Sequence, residues 1–117
     1  MKRLVTIMSA SLVALAISGG VWAAESDKIE PAWIGAAHTR ADHEALAKKY
    51  EAEAESFDKT AAMHEDLAET YGQPGLKETQ AAQAKHCAKV ASSLKTAAKE
   101  ERALAAAHHK MAEAAPQ

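Results

Sequence analysis

Six histidines and one cysteine are the residues of this 117-residue chain whose chemistry is most distinctive. They are His38, His43, His64, His86, Cys87, His108 and His109. Imidazole nitrogens and a thiolate sulfur suit copper or zinc, so the chemistry they suggest is the holding of a transition-metal ion. Whether they meet depends on how the chain folds back on itself.

The elements that must position them are two long helices. Steps of alternating four and three residues give His43, Ala47, Tyr50, Ala54, Phe57, Ala61, His64, Ala68 and Tyr71, a heptad seam in which large rings alternate with alanines. Thr39-Arg40-Ala41-Asp42 resembles a capping box with Asp in the place of Glu, so the first helix is expected over 39–71. Gly72 is expected to supply a left-handed closing residue, with Gln73-Pro74-Gly75 barring continuation and 72–75 forming the loop. The second helix is expected over 76–115, stopping before Pro116. Its expected seam combines Leu76, Gln83, Val90, Ala97, Leu104 and Met111 with Gln80, Cys87, Leu94, Glu101 and His108. A four-residue link makes the helices antiparallel neighbours.

In a hairpin closing around Gln73 and Pro74, facing residues have numbers that sum to about 147, within a turn. That register groups His64 with His86 and Cys87 near the loop. At the open end it groups His38, His43, His108 and His109, with Asp42, Glu44 and Met111 in range to orient the rings or add a ligand. Met63 is a further soft donor beside His64. The competing interpretation is that each ring is packed in the seam with one hydrogen bond, and that His108 and His109 are cations at the negative end of a helix.

Composition sets the frame around these elements. Met1, Lys2 and Arg3 precede an apolar run over Leu4–Ile17, and Val21 and Ala23 offer the small residues a signal peptidase requires, so residues 1–23 are expected to be a cleaved signal peptide. The apolar run is shorter than the roughly twenty residues of a membrane-spanning helix. The expected localisation is the bacterial periplasm, with no stable membrane insertion after cleavage. Without residues 1–23 the charged side chains are 12 basic and 16 acidic, which argues against nucleic acid as a partner. In an oxidising compartment the single Cys87 is a buried thiol, an intermolecular bridge or a metal ligand.

From residue 24 onward the chain has 26 alanines and only fourteen larger apolar or aromatic side chains. One hairpin can bury little apolar surface, at about 25 cal/mol per Å². Pairing of two hairpins into a dimeric four-helix bundle is the expected remedy. Residues 24–38, with Ser26, Asp27, Pro31 and Gly35, form an N-terminal arm with a helical turn near Pro31, packed down by Trp33 and Ile34.

No enzyme class fits. A Cys-His nucleophile pair would rest on His64 alone as base for Cys87; no glycine-rich phosphate loop and no Ser-His-Asp arrangement is present. Cys-x-x-Cys-His, needed for c-type haem, is missing. A b-type haem held by a histidine with Met63 or Met111 is disfavoured, because an alanine-lined seam leaves little room for a macrocycle.

The segments AAHTRADHEALAKKYEAEA, MHEDLAETY and AKHCAKVASSLKTAAKEERALAAAHHKMA together resemble a group of small secreted proteobacterial alanine- and histidine-rich helical hairpins without an assigned activity. The resemblance covers most of the chain after the signal peptide and implies a helical fold, not a chemistry. The residues themselves favour a non-enzymatic periplasmic protein that binds or buffers copper or zinc. The alternative is a structural module that packs against another helical protein, its histidines buried or sensing pH.

Overall fold

A computed structural model describes residues 28–117; the expected signal peptide over 1–23 lies outside the described residues. Among the described residues the elements are α1 (Pro31–Ala36), α2 (Arg40–Tyr71) and α3 (Glu78–Ala114), with no strand. α2 and α3 pack along each other as an antiparallel pair, the all-α hairpin expected from the heptad pattern.

The start of α2 follows from its capping residues. The Asp42 amide donates to Thr39 Oγ1 at 3.2 Å, while Asp42 Oδ2 accepts from the amides of Thr39 at 2.9 Å and His38 at 3.0 Å. Those donors have no partner inside the helix, so a reciprocal box satisfies them. The Arg40 amide donates to the Pro116 carbonyl at 2.9 Å, which ties the C-terminal tail back to this point. In the arm, Pro31 opens the short α1. Ile29 packs against Ala47, Tyr50 and Ala105, and the Lys49 ammonium lies 4.7 Å from the centre of the Trp33 ring. Ile34, expected to pack the arm down, is 47% exposed.

The turn differs from expectation in two ways. α2 ends at Tyr71, where the Gly72 amide reaches back to the carbonyls of Ala68 and Glu69. Gly72 itself has φ −82°, however, and the left-handed residue is Gly75, at φ +93°. Leu76 and Lys77 then continue outside any helix, so α3 begins at Glu78 instead of residue 76 and ends at Ala114 instead of 115. The longer link lets the first turns of α3 overhang the end of α2, which is why Glu78 and Gln80 through Gln83 are all exposed.

Packing follows the expected seam on α2, where Ala47, Tyr50, Ala54 and Ala61 are buried. On α3 half of the expected seam is corrected. Cys87, Leu94, Glu101 and His108 do face inward, but their companions are the alanines Ala91, Ala98, Ala105 and Ala112. Leu76, Val90, Leu104 and Met111 are exposed. The physical reason is space: α2 already presents a ring at every other seam position, so α3 approaches closely only by offering methyl groups. The fully buried large side chain is Leu46, beside the seam on α2.

One flank of the interface carries three polar bridges, Glu51 to His109, Asp58 to Arg102 and Glu65 to Lys95. They step by seven residues on both helices. The rungs join residues whose numbers sum to 160, reached by long side chains, while the seam contact of His43 with His108 sums to 151, within a turn of the pairing expected around Gln73 and Pro74.

Because the Thr39 side chain closes two open donors with Asp42, Thr39→Ala should destabilise the protein by about 1 kcal/mol, read as a lower midpoint in urea denaturation followed by circular dichroism; Thr39→Ser should be close to neutral.

Candidate functional site

At the open end of the hairpin α2 brings in His43 and α3 brings in His108, and their Nδ1 atoms stand 3.1 Å apart. That distance is a hydrogen bond in which one ring donates N–H and the other accepts, so the two rings are in different tautomers at these nitrogens. The ring centroids are 5.4 Å apart. Tyr50, one heptad after His43 on the same seam, also stacks with His108, at 5.5 Å. His108 is 7% exposed, the one polar residue buried among the described residues. The His43 amide donates to the Thr39 carbonyl of the α2 cap at 3.2 Å, and His108 lies on α3 between the buried Ala105 and Ala112.

Burial pushes the His108 imidazole below its ordinary titration range, with a further push from His43. One heptad earlier on α3, Glu101 faces the same seam. Burial and the neighbouring Glu53 raise its carboxyl above the usual value, and its Oε2 is buried without a hydrogen-bond partner. Tyr50 is raised by burial, then by Glu101 and Glu53. Asp42 moves the other way, lowered by the His38 and Thr39 amides it accepts from. The seam at this end therefore holds a run of polar groups, Glu101, Tyr50, His108 and His43, inside an otherwise methyl-lined interface.

The other candidate ligands are placed differently. His109 turns to the flank, where its Nε2 is 2.9 Å from Glu51 Oε1. His38 is exposed, and its contribution is the backbone amide given to Asp42. Near the loop, His64 is half-buried with Nδ1 buried and unpartnered. Its number and that of Cys87 have the same sum as those of His43 and His108, so the two occupy the equivalent seam positions three heptads nearer the loop. Cys87 is a half-buried free thiol and His86 is exposed. Among the described residues no three or more His, Cys, Asp or Glu side chains gather as a metal site. The structure thus brings together one pair from the seven candidates, His43 with His108. The stacked Tyr50 was missed as a member of the site, although its position seven residues from His43 on a common seam was the available signal.

No helix among the described residues is long and apolar enough to cross a membrane. Comparison of the chain with protein-family models, with curated proteins and with solved structures finds no match.

The titration shifts define an acid-sensitivity with a worked sign. His108 is held neutral in the fold, so its contribution to stability is complete above the ordinary histidine value near 6.5 and is lost as pH falls below it. Glu101 has the opposite sign: its raised value favours the fold at acid pH, and that advantage is lost as pH rises through the raised folded value. Urea midpoints of the wild type should fall between pH 7.5 and 5.5, and His108→Phe should flatten that decline.

Proposed function

We propose that this protein is a non-enzymatic periplasmic holder of a transition-metal ion, copper or zinc, with His43 and His108 as the ligands that its fold supplies. The observation that carries this is the 3.1 Å approach of the two Nδ1 atoms inside the seam. An ion bonded to both at about 2.0 to 2.1 Å would see them roughly 100° apart, between the square-planar and tetrahedral angles. Binding needs no proton release at neutral pH. The ring that donates the hydrogen bond moves its proton from Nδ1 to Nε2, and both Nδ1 lone pairs then face one point. The export signal expected over 1–23 supports the periplasmic placement, where exposure to incoming copper and zinc gives such a holder its use. His43 is half-buried, which leaves a side of the pair open to an incoming ion.

The predicted outcome is a rise in melting temperature when copper or zinc is added to metal-free protein. A free ion at 100 times its dissociation constant stabilises the folded state by about 2.7 kcal/mol. His43→Ala and His108→Ala should each abolish the rise, while His86→Ala and His109→Ala should retain it. A wild-type melt indifferent to both metals would sink this reading.

A second reading, self-association, has its own observation. Val90, Leu104 and Met111 are spaced along one flank of α3 and are 41%, 43% and 48% exposed. They fall on the side of the seam opposite the bridge ladder. A second copy laid along this flank would bury the larger apolar side chains that the hairpin leaves outside and complete the four-helix bundle. Sedimentation velocity should show a dimer at micromolar concentration, and Val90→Glu with Leu104→Glu should convert it to a helical monomer. A wild type that stays monomeric at every concentration removes the dimer.

A further inference from the structure

We infer that the His43–His108 site selects a monovalent closed-shell soft cation, the cuprous ion, over divalent zinc or copper; this deepens the metal-holding reading above and rests on it. Three features lead there. The first is ligand number. The described residues bring two imidazoles to one point and no third His, Cys, Asp or Glu joins them. Zinc in protein sites takes three or four protein ligands, whereas a filled-shell monovalent ion is satisfied by three donors in a plane, here the two imidazoles roughly 100° apart and one small ligand from solution.

The second feature is charge. Both ligands are neutral, and the surroundings are methyl groups and a phenol ring: Ala47 and Ala105 are at most 2% exposed, Ala112 is 3% exposed and Tyr50 8%. The cost of moving an ion from water into such surroundings grows with the square of its charge, so a divalent ion pays about four times what a monovalent one does. Two of the carboxylates nearby are engaged, and Glu101, whose Oε2 has no partner, stands one heptad from His108, about 10 Å along α3. Asp42 accepts from the His38 and Thr39 amides, and Glu51 is bonded to His109 on the flank. Each offers partial compensation at most, enough for one positive charge and short of two.

The third feature is the backbone. His43 lies in the first turns of α2, the positive end of that helix, and His108 lies near the end of α3, the negative end of the other. In an antiparallel pair these two end-charges offset each other at the site. No net helix field is left to favour a second unit of charge. Tyr50 stacks on His108, so the neighbour beside this ligand is a neutral phenol ring.

The test is anaerobic competition of the protein against bicinchoninate for Cu(I), and against a zinc chelator for Zn(II), in a Cys87→Ser background so that the lone thiol does not compete. The expected result is one cuprous equivalent per chain, held at least ten-fold more tightly than zinc, with X-ray absorption showing nitrogen scatterers and no sulfur. His43→Ala should lose it. His43→Phe, which keeps a ring in the seam, should lose it too while keeping the helical circular dichroism of the parent, so that loss of binding is separated from loss of fold. Zinc bound as tightly as Cu(I), and lost in the same variants, would overturn the charge selectivity and leave the metal-holding reading in place. Binding of neither ion would overturn both. Cu(I) that remains bound in His43→Phe would move the ion elsewhere and overturn the assignment of the site.

Discussion

The structure depends on how closely two helix backbones can run when one of them shows only methyl groups. α3 turns Ala91, Ala98, Ala105 and Ala112 toward a partner that carries rings at alternate seam positions. A larger side chain at any of those alanines would push the helices apart and strand the rings between them. Close approach is also what brings two histidines from residues 65 apart in sequence to a hydrogen-bonded contact. The same interface buries mostly alanines, so the α2 cap and the Ile29 contact of the arm add to a core of few large side chains.

The flank bridges are modest individually. Arg102 with Asp58 and Lys95 with Glu65 are about half exposed, and exposed pairs contribute little each. Elsewhere along the helices, Thr60, Thr70 and Thr96 return their hydroxyls to carbonyls four residues earlier, which keeps these poor helix formers compatible with long, uninterrupted helices.

Much of this was legible in the sequence, for identifiable reasons. The α2 seam and its Thr39–Asp42 cap were readable because rings, alanines and cap residues each prefer a single kind of position. The end of α2 at Tyr71 was readable from the Gly-x-Pro-Gly that follows. The α3 seam carried a signal that was passed over, the unbroken seven-residue column Ala84, Ala91, Ala98, Ala105 and Ala112; the eye goes instead to Val90, Leu104 and Met111, the larger residues, which the fold leaves outside. The register at the seam was legible too, because a short link between two long helices leaves little freedom in their pairing, and His43 with His108 falls within a turn of the expected alignment.

The three bridges have a property that their number hides. Sliding α3 by one heptad along α2 would set Glu51 beside Arg102 and Asp58 beside Lys95, so two of three opposite-charge rungs would re-form with nothing but sequence position changed. Charge alone therefore cannot tell the correct alignment from its neighbour. The imidazole pair can: the same slide would face His43 with Glu101 and leave His108 without its ring partner, an arrangement with a different protonation demand and no stacked phenol. The histidines thus act as the notch by which two otherwise repetitive rods find a single alignment, whatever else they hold.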